Sequence, residues 1–381
     1  MKARLKAAPR SRARSAVRHE HGPRRHAAPH SASIRWRCHH AMTKAAAIGG
    51  SPVAIGSRLR RALDAGRSVI TAELAVPATV AHKLILERAK GLLRPQIVAM
   101  NITDGLRGRP ALSPIAAAAI LTHADLGVEP IVQVVARSRA RNALIADLLG
   151  ASALGVRNLL CMTGDVPESS ADIQDVDVFA LIGLARGFPA GLGTELLGTA
   201  EPFCVGAAWS PFAPDPAHEA ERLVRKHAAG AVFVQTQPMF DAHGFAAAID
   251  RLPVSLTELP IIIGLAPIRS CDHAQRLGAI PGIVIPDRLL ALLDRASDEA
   301  DACERYWAYL DAELDWLTRN VPHRGFHLMP IGHSKRGIRQ SSSFDRLYAA
   351  ATRALDAAPP NLAEVAAPVE VSGRVFGTSA V

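Results

Sequence analysis

From residue 68 onward, short apolar runs alternate with longer amphipathic stretches. The runs are 68–74 (SVITAEL), 96–102 (QIVAMNI), 129–135 (EPIVQVV), 158–163 (NLLCMT), 203–209 (FCVGAAW), 231–237 (AVFVQTQ), 260–267 (PIIIGLAP) and 327–331 (HLMPI). They are rich in Val, Ile and Leu, as strands buried on both faces must be. The stretches between them read as helices. Residues 112–126 and 140–153 are dense in Ala and Leu, which lose little on entering a helix. Residues 215–229 open on Asp215-Pro216 and place Glu219 and Glu221 early and Arg225 and Lys226 late, matching the helix dipole. Gly150, Gly155 and Gly230 fall where helices would stop. Residues 298–319 predict a further long helix, whose Trp307, Tyr309 and Trp316 form a face for the barrel or a partner subunit.

Strands alternating with helices imply a parallel sheet. Eight such units close a (β/α)₈ TIM-type barrel, with an open doubly wound sheet as the alternative. No GxGxxG follows the first strand, which favours the barrel. The expected organisation is a disordered tail over 1–50, a catalytic barrel over 51–358 and a loose tail over 359–381.

Charge changes this picture only at the N-terminus. The 381-residue chain carries a net charge of +9. Residues 1–41 hold eleven Lys or Arg and one acid, Glu20, so they account for +10 and leave the rest at −1. The segment reads as disordered, and as a basic arm, a targeting segment or sequence upstream of a true start at Met42. The nearly neutral remainder argues against nucleic acid as a partner. No stretch has the roughly 18 apolar residues of a membrane span. Cys38, Cys161, Cys204, Cys271 and Cys303 are scattered, without a CxxC pair. That argues against disulfides and a zinc site, and for a cytoplasmic location. The histidines are scattered too, so no metal site is expected.

Candidate chemistry sits at the strand ends, which face the active site in barrels. Reading each run to its end gives Glu73, Asn101 with Asp104 beyond it, Gln133, Thr163-Gly164-Asp165, Trp209 and Gln235-Thr236-Gln237. Glu73 shares a pleat face with Val69 and Thr71, so it is expected to be partly buried. Partial burial favours the neutral form of a carboxyl group, which suits a general acid. Gly164 allows close backbone approach to a ligand, and Asp165 can bond to that ligand or cap a helix. Bland readings exist for each: an ion pair for Glu73, packing for Trp209, a solvated helix end for Arg225 and Lys226. The basic segment 333–340 reads as a solvated helix start or a contact for an anionic cofactor.

The order and wording of these segments resemble the methylenetetrahydrofolate reductase family. Thr71-Ala72-Glu73 comes first, then Asn101-Ile102-Thr103-Asp104-Gly105. Gly155-Val156-Arg157-Asn158 leads into Thr163-Gly164-Asp165, and Ala229-Gly230-Ala231 leads into Gln235-Thr236-Gln237-Pro238. The likeness runs from about residue 68 to about 335. It implies a barrel that reduces 5,10-methylenetetrahydrofolate to 5-methyltetrahydrofolate with NADH or NADPH through bound FAD, feeding methionine synthesis. It implies catalytic roles for Glu73, as proton donor to the folate, and for Asp165, beside the flavin and folate rings. Gln237 and Leu277 would contact substrate. Asn101, Gln133, Thr163, Gly164, Trp209, Arg225 and Lys226 would line the cofactor. A homo-oligomer is expected.

The chain also departs from that pattern. Arg137-Ser138-Arg139-Ala140-Arg141 stands where close relatives have Arg-Asp-Arg-Asn-Arg. Trp209-Ser210-Pro211 stands where many have Tyr or Asn before Pro, and Leu277 replaces a Phe that packs on substrate in some members. These changes fall mostly on the flavin side. They keep open a folate-binding paralogue: a flavin-free reductase, or an accessory to a methyltransferase.

Overall fold

The computed structural model describes residues 56–105, 109–165, 175–192, 200–331 and 340–357. The N-terminal segment with Met42, the basic stretch 333–339 and residues 359–381 lie outside them. In chain order the elements are α1 (Arg58–Asp64), β1 (Val69–Leu74), α2 (His82–Leu92), β2 (Ile97–Ile102), α3 (Pro114–His123), β3 (Glu129–Val135), α4 (Arg141–Ala153) and β4 (Asn158–Met162). Then follow α5 (Val178–Gly187), β5 (Cys204–Trp209), α6 (Pro216–Ala228), β6 (Phe233–Pro238), α7 (Ala242–Asp250), β7 (Ile261–Leu265), α8 (Cys271–Gly278), α9 (Asp287–Asp294), α10 (Glu299–Asn320), β8 (Gly325–Leu328) and α11 (Gln340–Asp356). The strands form one closed parallel barrel in sequence order, with β8 returning to β1.

The expected elements are present, and the eighth strand is displaced. It starts at Gly325 instead of 327, with Gly325 paired to Val69. Gly325 has φ +105°, and a Cβ there would run into the Val69 backbone. Glycine is therefore what lets β8 close the barrel, and a reading based on apolar side chains passes over it.

Alternation along each strand divides the core in two. One set of side chains points out, where Ile70, Met100, Val132, Leu159, Val205, Val234 and Ile263 pack beneath the helices. The other points in. Val69, Ala99, Ile131, Leu160, Cys204, Phe233 and Ile262 meet Leu59, Ala62 and Leu63 of α1, which plugs the N-terminal end. Phe233 fills the axis: a Cβ on Gly206 would collide with its ring. The plug is held electrostatically as well. Ser57 Oγ accepts the Arg60 amide at 2.9 Å, and Glu129 accepts the Arg58 and Leu59 amides at 2.8 and 3.2 Å. A carboxylate at a helix N-terminus offsets the dipole and the unpaired amides there.

The long helix α10 turns its aromatic face inward. Tyr306 and Trp307 are buried, and Tyr309 Oη donates to Phe240 O at 2.8 Å. Trp316 stacks on His243 with ring centroids 3.8 Å apart. Of the two readings of this face, the structure supports packing on the barrel. Arg346 and Arg353 of α11 pair with Glu304 and Asp311 of α10, which ties the last helix down.

Candidate active site

The C-terminal end of the barrel opens into a cavity of about 760 Å³. Its floor is set by the inward layer above Val69 and Phe233. Glu73 stands at the end of β1 and lines the cavity, with its side chain 16% exposed. Gln133 of β3 directs Nε2 at Glu73 Oε2 from 3.4 Å. His327 of β8 places Nε2 3.8 Å from the same oxygen. His327 Nδ1 lies 2.9 Å from Thr71 Oγ1, so the imidazole is held from below. No sequence signal picked out His327, because only closure of β8 onto β1 brings it to Glu73.

Across the cavity, Thr163, Gly164 and Asp165 follow β4. Arg137 N donates to Thr163 O at 3.0 Å, which extends the β3–β4 ladder past the strand end. Gly164 has φ +88°, and a Cβ there would come within 2.9 Å of Val135 Cβ. The residue must be glycine for the chain to turn so close to β3. Asp165 is exposed at the rim.

Charge in the cavity is mixed. Asp104 is 8% exposed, is paired to Arg139 and accepts the Val135 amide at 3.1 Å. Arg139 also reaches Asp147 at 3.5 Å. Lys226 of α6 extends inward beneath the end of β5. Its Nζ donates to Ala208 O at 2.8 Å and to Glu219 Oε1 at 3.3 Å. Burial pushes the Lys226 ammonium below the usual lysine range, and Glu219 partly offsets that. Arg109, Arg137 and Arg222 complete a cationic lining.

Gln237 reaches the cavity through a bulge. Gln235 pairs with Ile262 but Pro238 with Gly264, so three residues of β6 pass opposite two of β7. Bulges of this kind re-aim side chains. On the other side Ile280 and Pro281 form an apolar wall after α8. A Cβ on Gly282 would meet Ser210 Oγ at 2.9 Å and Gln237 Cγ at 3.4 Å. This loop therefore presses directly on the β5 and β6 ends.

The model of the methylenetetrahydrofolate reductase family matches residues 58–338. The chain belongs to the methylenetetrahydrofolate reductase family. It is 26% identical over 261 residues to a probable methylenetetrahydrofolate reductase (NADPH) of Caenorhabditis elegans, covering 65% of this chain and 38% of that one. It is 24% identical over 235 residues to methylenetetrahydrofolate reductase 1 of Schizosaccharomyces pombe, covering 60% and 37%. The chain thus spans under two fifths of these relatives. Among solved structures, an uncharacterized Clostridium thermocellum protein described as binding two copies of 5-methyl-5,6,7,8-tetrahydrofolic acid superposes with a TM-score of 0.57 at 13% identity, covering 78% of this chain and 98% of that one. At that identity the likeness is one of fold.

For a methylenetetrahydrofolate reductase family member, the expected site divides cleanly. Glu73, Gln133, Thr163, Gly164, Asp165, Lys226 and Gln237 share the cavity lining. Four expected residues do not. Trp209 points outward with Val205 and Ala207, buried against Phe245 of α7 at 5.9 Å between centroids. Its neighbours Ala208 and Ser210 line the cavity instead. Leu277 is buried in the core on the inner face of α8, and the apolar wall is made by Ile280 and Pro281. Arg225 lies on the exposed side of α6, its guanidinium 3.8 Å from the Phe179 ring centroid of α5. One residue later on the same helix, Lys226 turns in. Asn101 points inward but is fully buried and off the cavity lining, where it bonds to Gln235.

Proposed function

We propose that the chain is a methylenetetrahydrofolate reductase that reduces the methylene group of 5,10-methylenetetrahydrofolate to methyl, with NADH or NADPH as electron donor and FAD as cofactor, and so supplies methyl groups for methionine synthesis. The observation that carries this reading is Glu73. It is a carboxyl group in a water-reachable cavity, flanked by an imidazole and an amide from two other strands. The fold shared with a protein described as binding 5-methyl-5,6,7,8-tetrahydrofolic acid supports a folate as ligand.

The cavity suits FAD in size and charge. Its volume of about 760 Å³ falls in the range of cofactor sites, roughly 300–1,000 Å³. Arg109, Arg137, Arg222 and Lys226 offer cations for a diphosphate. Thr163 and Gly164 bring backbone to the cavity wall. FAD, when bound, supplies hydride carriage from the nicotinamide to the one-carbon group.

The chain's own residues do the proton work. Glu73 gives a proton to the folate nitrogen, and the five-membered ring opens to an iminium whose carbon then takes up hydride. The sum is one proton and one hydride added, with NAD(P)H oxidised to NAD(P)⁺. Gln133 and His327 face the carboxylate left on Glu73, and an N–H donor there offsets its charge. Gln237 holds the folate through its side-chain amide. Asp165 at the rim places a negative charge beside the reacting rings, where it favours the cationic iminium.

The test is oxidation of NADH and NADPH by the full chain with 5,10-methylenetetrahydrofolate, following 5-methyltetrahydrofolate by chromatography. Equimolar product supports the reading. Folate binding without nicotinamide oxidation supports the paralogue instead.

A further inference from the structure

At the cavity floor lies a layer of polar side chains, of which the proposed reaction itself uses only His327. Thr71, Asn101, Gln235 and His327 come from β1, β2, β6 and β8, and their exposures are 0%, 0%, 2% and 3%. The inward layer below them is apolar. Burying four polar groups where aliphatic ones would fit is unfavourable unless every donor and acceptor is paired. Here they are paired in one order.

The order begins with two amides. Asn101 Nδ2 donates to Gln235 Oε1 at 2.5 Å, and Gln235 Nε2 donates back to Asn101 Oδ1 at 3.1 Å. This reciprocal pair couples the orientations of the two amides, and in the structure it is Nε2 of Gln235 that faces β1. Gln235 Nε2 then donates its second hydrogen to Thr71 Oγ1 at 3.2 Å. The hydroxyl has a single proton of its own to place, and His327 Nδ1 is 2.9 Å away. Taking that proton makes Nδ1 an acceptor. A neutral imidazole carries one hydrogen, which must then sit on Nε2. Nε2 is the nitrogen that faces Glu73, at 3.8 Å.

We infer that the Asn101–Gln235 amide pair is a positioning device that, through Thr71, holds His327 as the Nε2–H tautomer with its hydrogen toward Glu73. Thr71 and Asn101 lie off the cavity lining, and the three act on Glu73 through the imidazole. The consequence rests on the reading of Glu73 as proton donor. With the hydrogen on Nε2, the carboxylate formed after proton transfer meets an N–H donor. With the hydrogen on Nδ1, it would meet a lone pair. The inference also gives Asn101 a role distinct from the cofactor contact expected of it.

The tautomer is read directly by NMR. The full chain, labelled with ¹³C and ¹⁵N in histidine, is measured at about pH 8.5, above the usual imidazole range. The chain has 15 histidines, so the His327 signals are assigned by their loss in His327→Gln. The expected result is an Nε2–H signature for His327 in the parent chain and in Thr71→Ser, and a shift toward Nδ1–H in Thr71→Val and Gln235→Leu. Thr71→Val keeps the shape of the side chain, so it remains informative where Gln235→Leu does not fold. An Nδ1–H signature in the parent would overturn the inference, as would an unchanged Nε2–H signature in folded Thr71→Val. The readout needs no turnover. If the reductase reading fails while the tautomer behaves as stated, the positioning device stands without it.

Discussion

The Gly264 amide is bonded to the side chain of Thr236 at the bulge between β6 and β7. Thr236 Oγ1 accepts it at 2.9 Å and donates onward to Gln237 O at 2.8 Å. A hydroxyl thus bridges β6 and β7 at the bulge that turns Gln237 toward the cavity. Gly264 leaves room for this, since a Cβ there would strike Met329 Cε and lie 2.5 Å from Thr236 O.

Thr236→Val should therefore loosen Gln237 without touching Glu73. The Gly264 amide loses its hydroxyl acceptor, at a cost of about 0.5–1.5 kcal/mol. Folate KM should rise several-fold while kcat and NAD(P)H oxidation by an artificial acceptor hold. Steady-state kinetics beside urea unfolding check this. A fall in kcat at unchanged KM would contradict the role given to the bulge.

His323 makes stability depend on acid at the other end of the barrel. The ring is buried below β8, and Nδ1 accepts the Gly325 amide at 3.0 Å. Burial, with Arg324 nearby, pushes its pKa from 6.5 down to about 4. The unfolded chain therefore binds a proton that the folded chain refuses between those values. This contribution is fully present above pH 6.5 and is lost as the pH falls toward about 4. At 1.36 kcal/mol per pH unit, it amounts to about 3 kcal/mol. Urea midpoints at pH 7 and 5 should differ less in His323→Leu than in the parent. Equal differences would remove His323 as the cause.

Most of the fold is legible in the chain because parallel strands buried on both faces must be apolar, and eight such runs alternate with helical stretches. The site is less so, because it depends on which way a side chain faces. Pleat parity placed Glu73 with Val69 and Thr71, and the structure agrees. The same parity applied to β5 puts Trp209 with Val205 and Ala207, facing out. Asn101 has the right parity and is still buried off the cavity lining, which no pattern within β2 encodes. His327 depends on barrel closure, a contact between residues 256 apart.

Trp209 then becomes a test of that assignment. It is 2% exposed against Phe245, so Trp209→Ala should cost about 3–5 kcal/mol. Trp209→Phe keeps most of the contact and should leave flavin absorbance per folded chain and folate KM unchanged. A colourless, folded Trp209→Phe would return this residue to the cofactor site.

Glu73→Gln tests the central claim most directly. The amide keeps the size of the side chain and its contact with Gln133, and cannot give up a proton as an acid. In stopped-flow measurements on the full chain loaded with FAD, flavin reduction by NAD(P)H should proceed at close to the parental rate. Reoxidation by 5,10-methylenetetrahydrofolate should fall by at least about 10²-fold, the lower range for losing a general acid. Parental reoxidation in a folded Glu73→Gln chain, or equal loss of both half-reactions, would contradict the account.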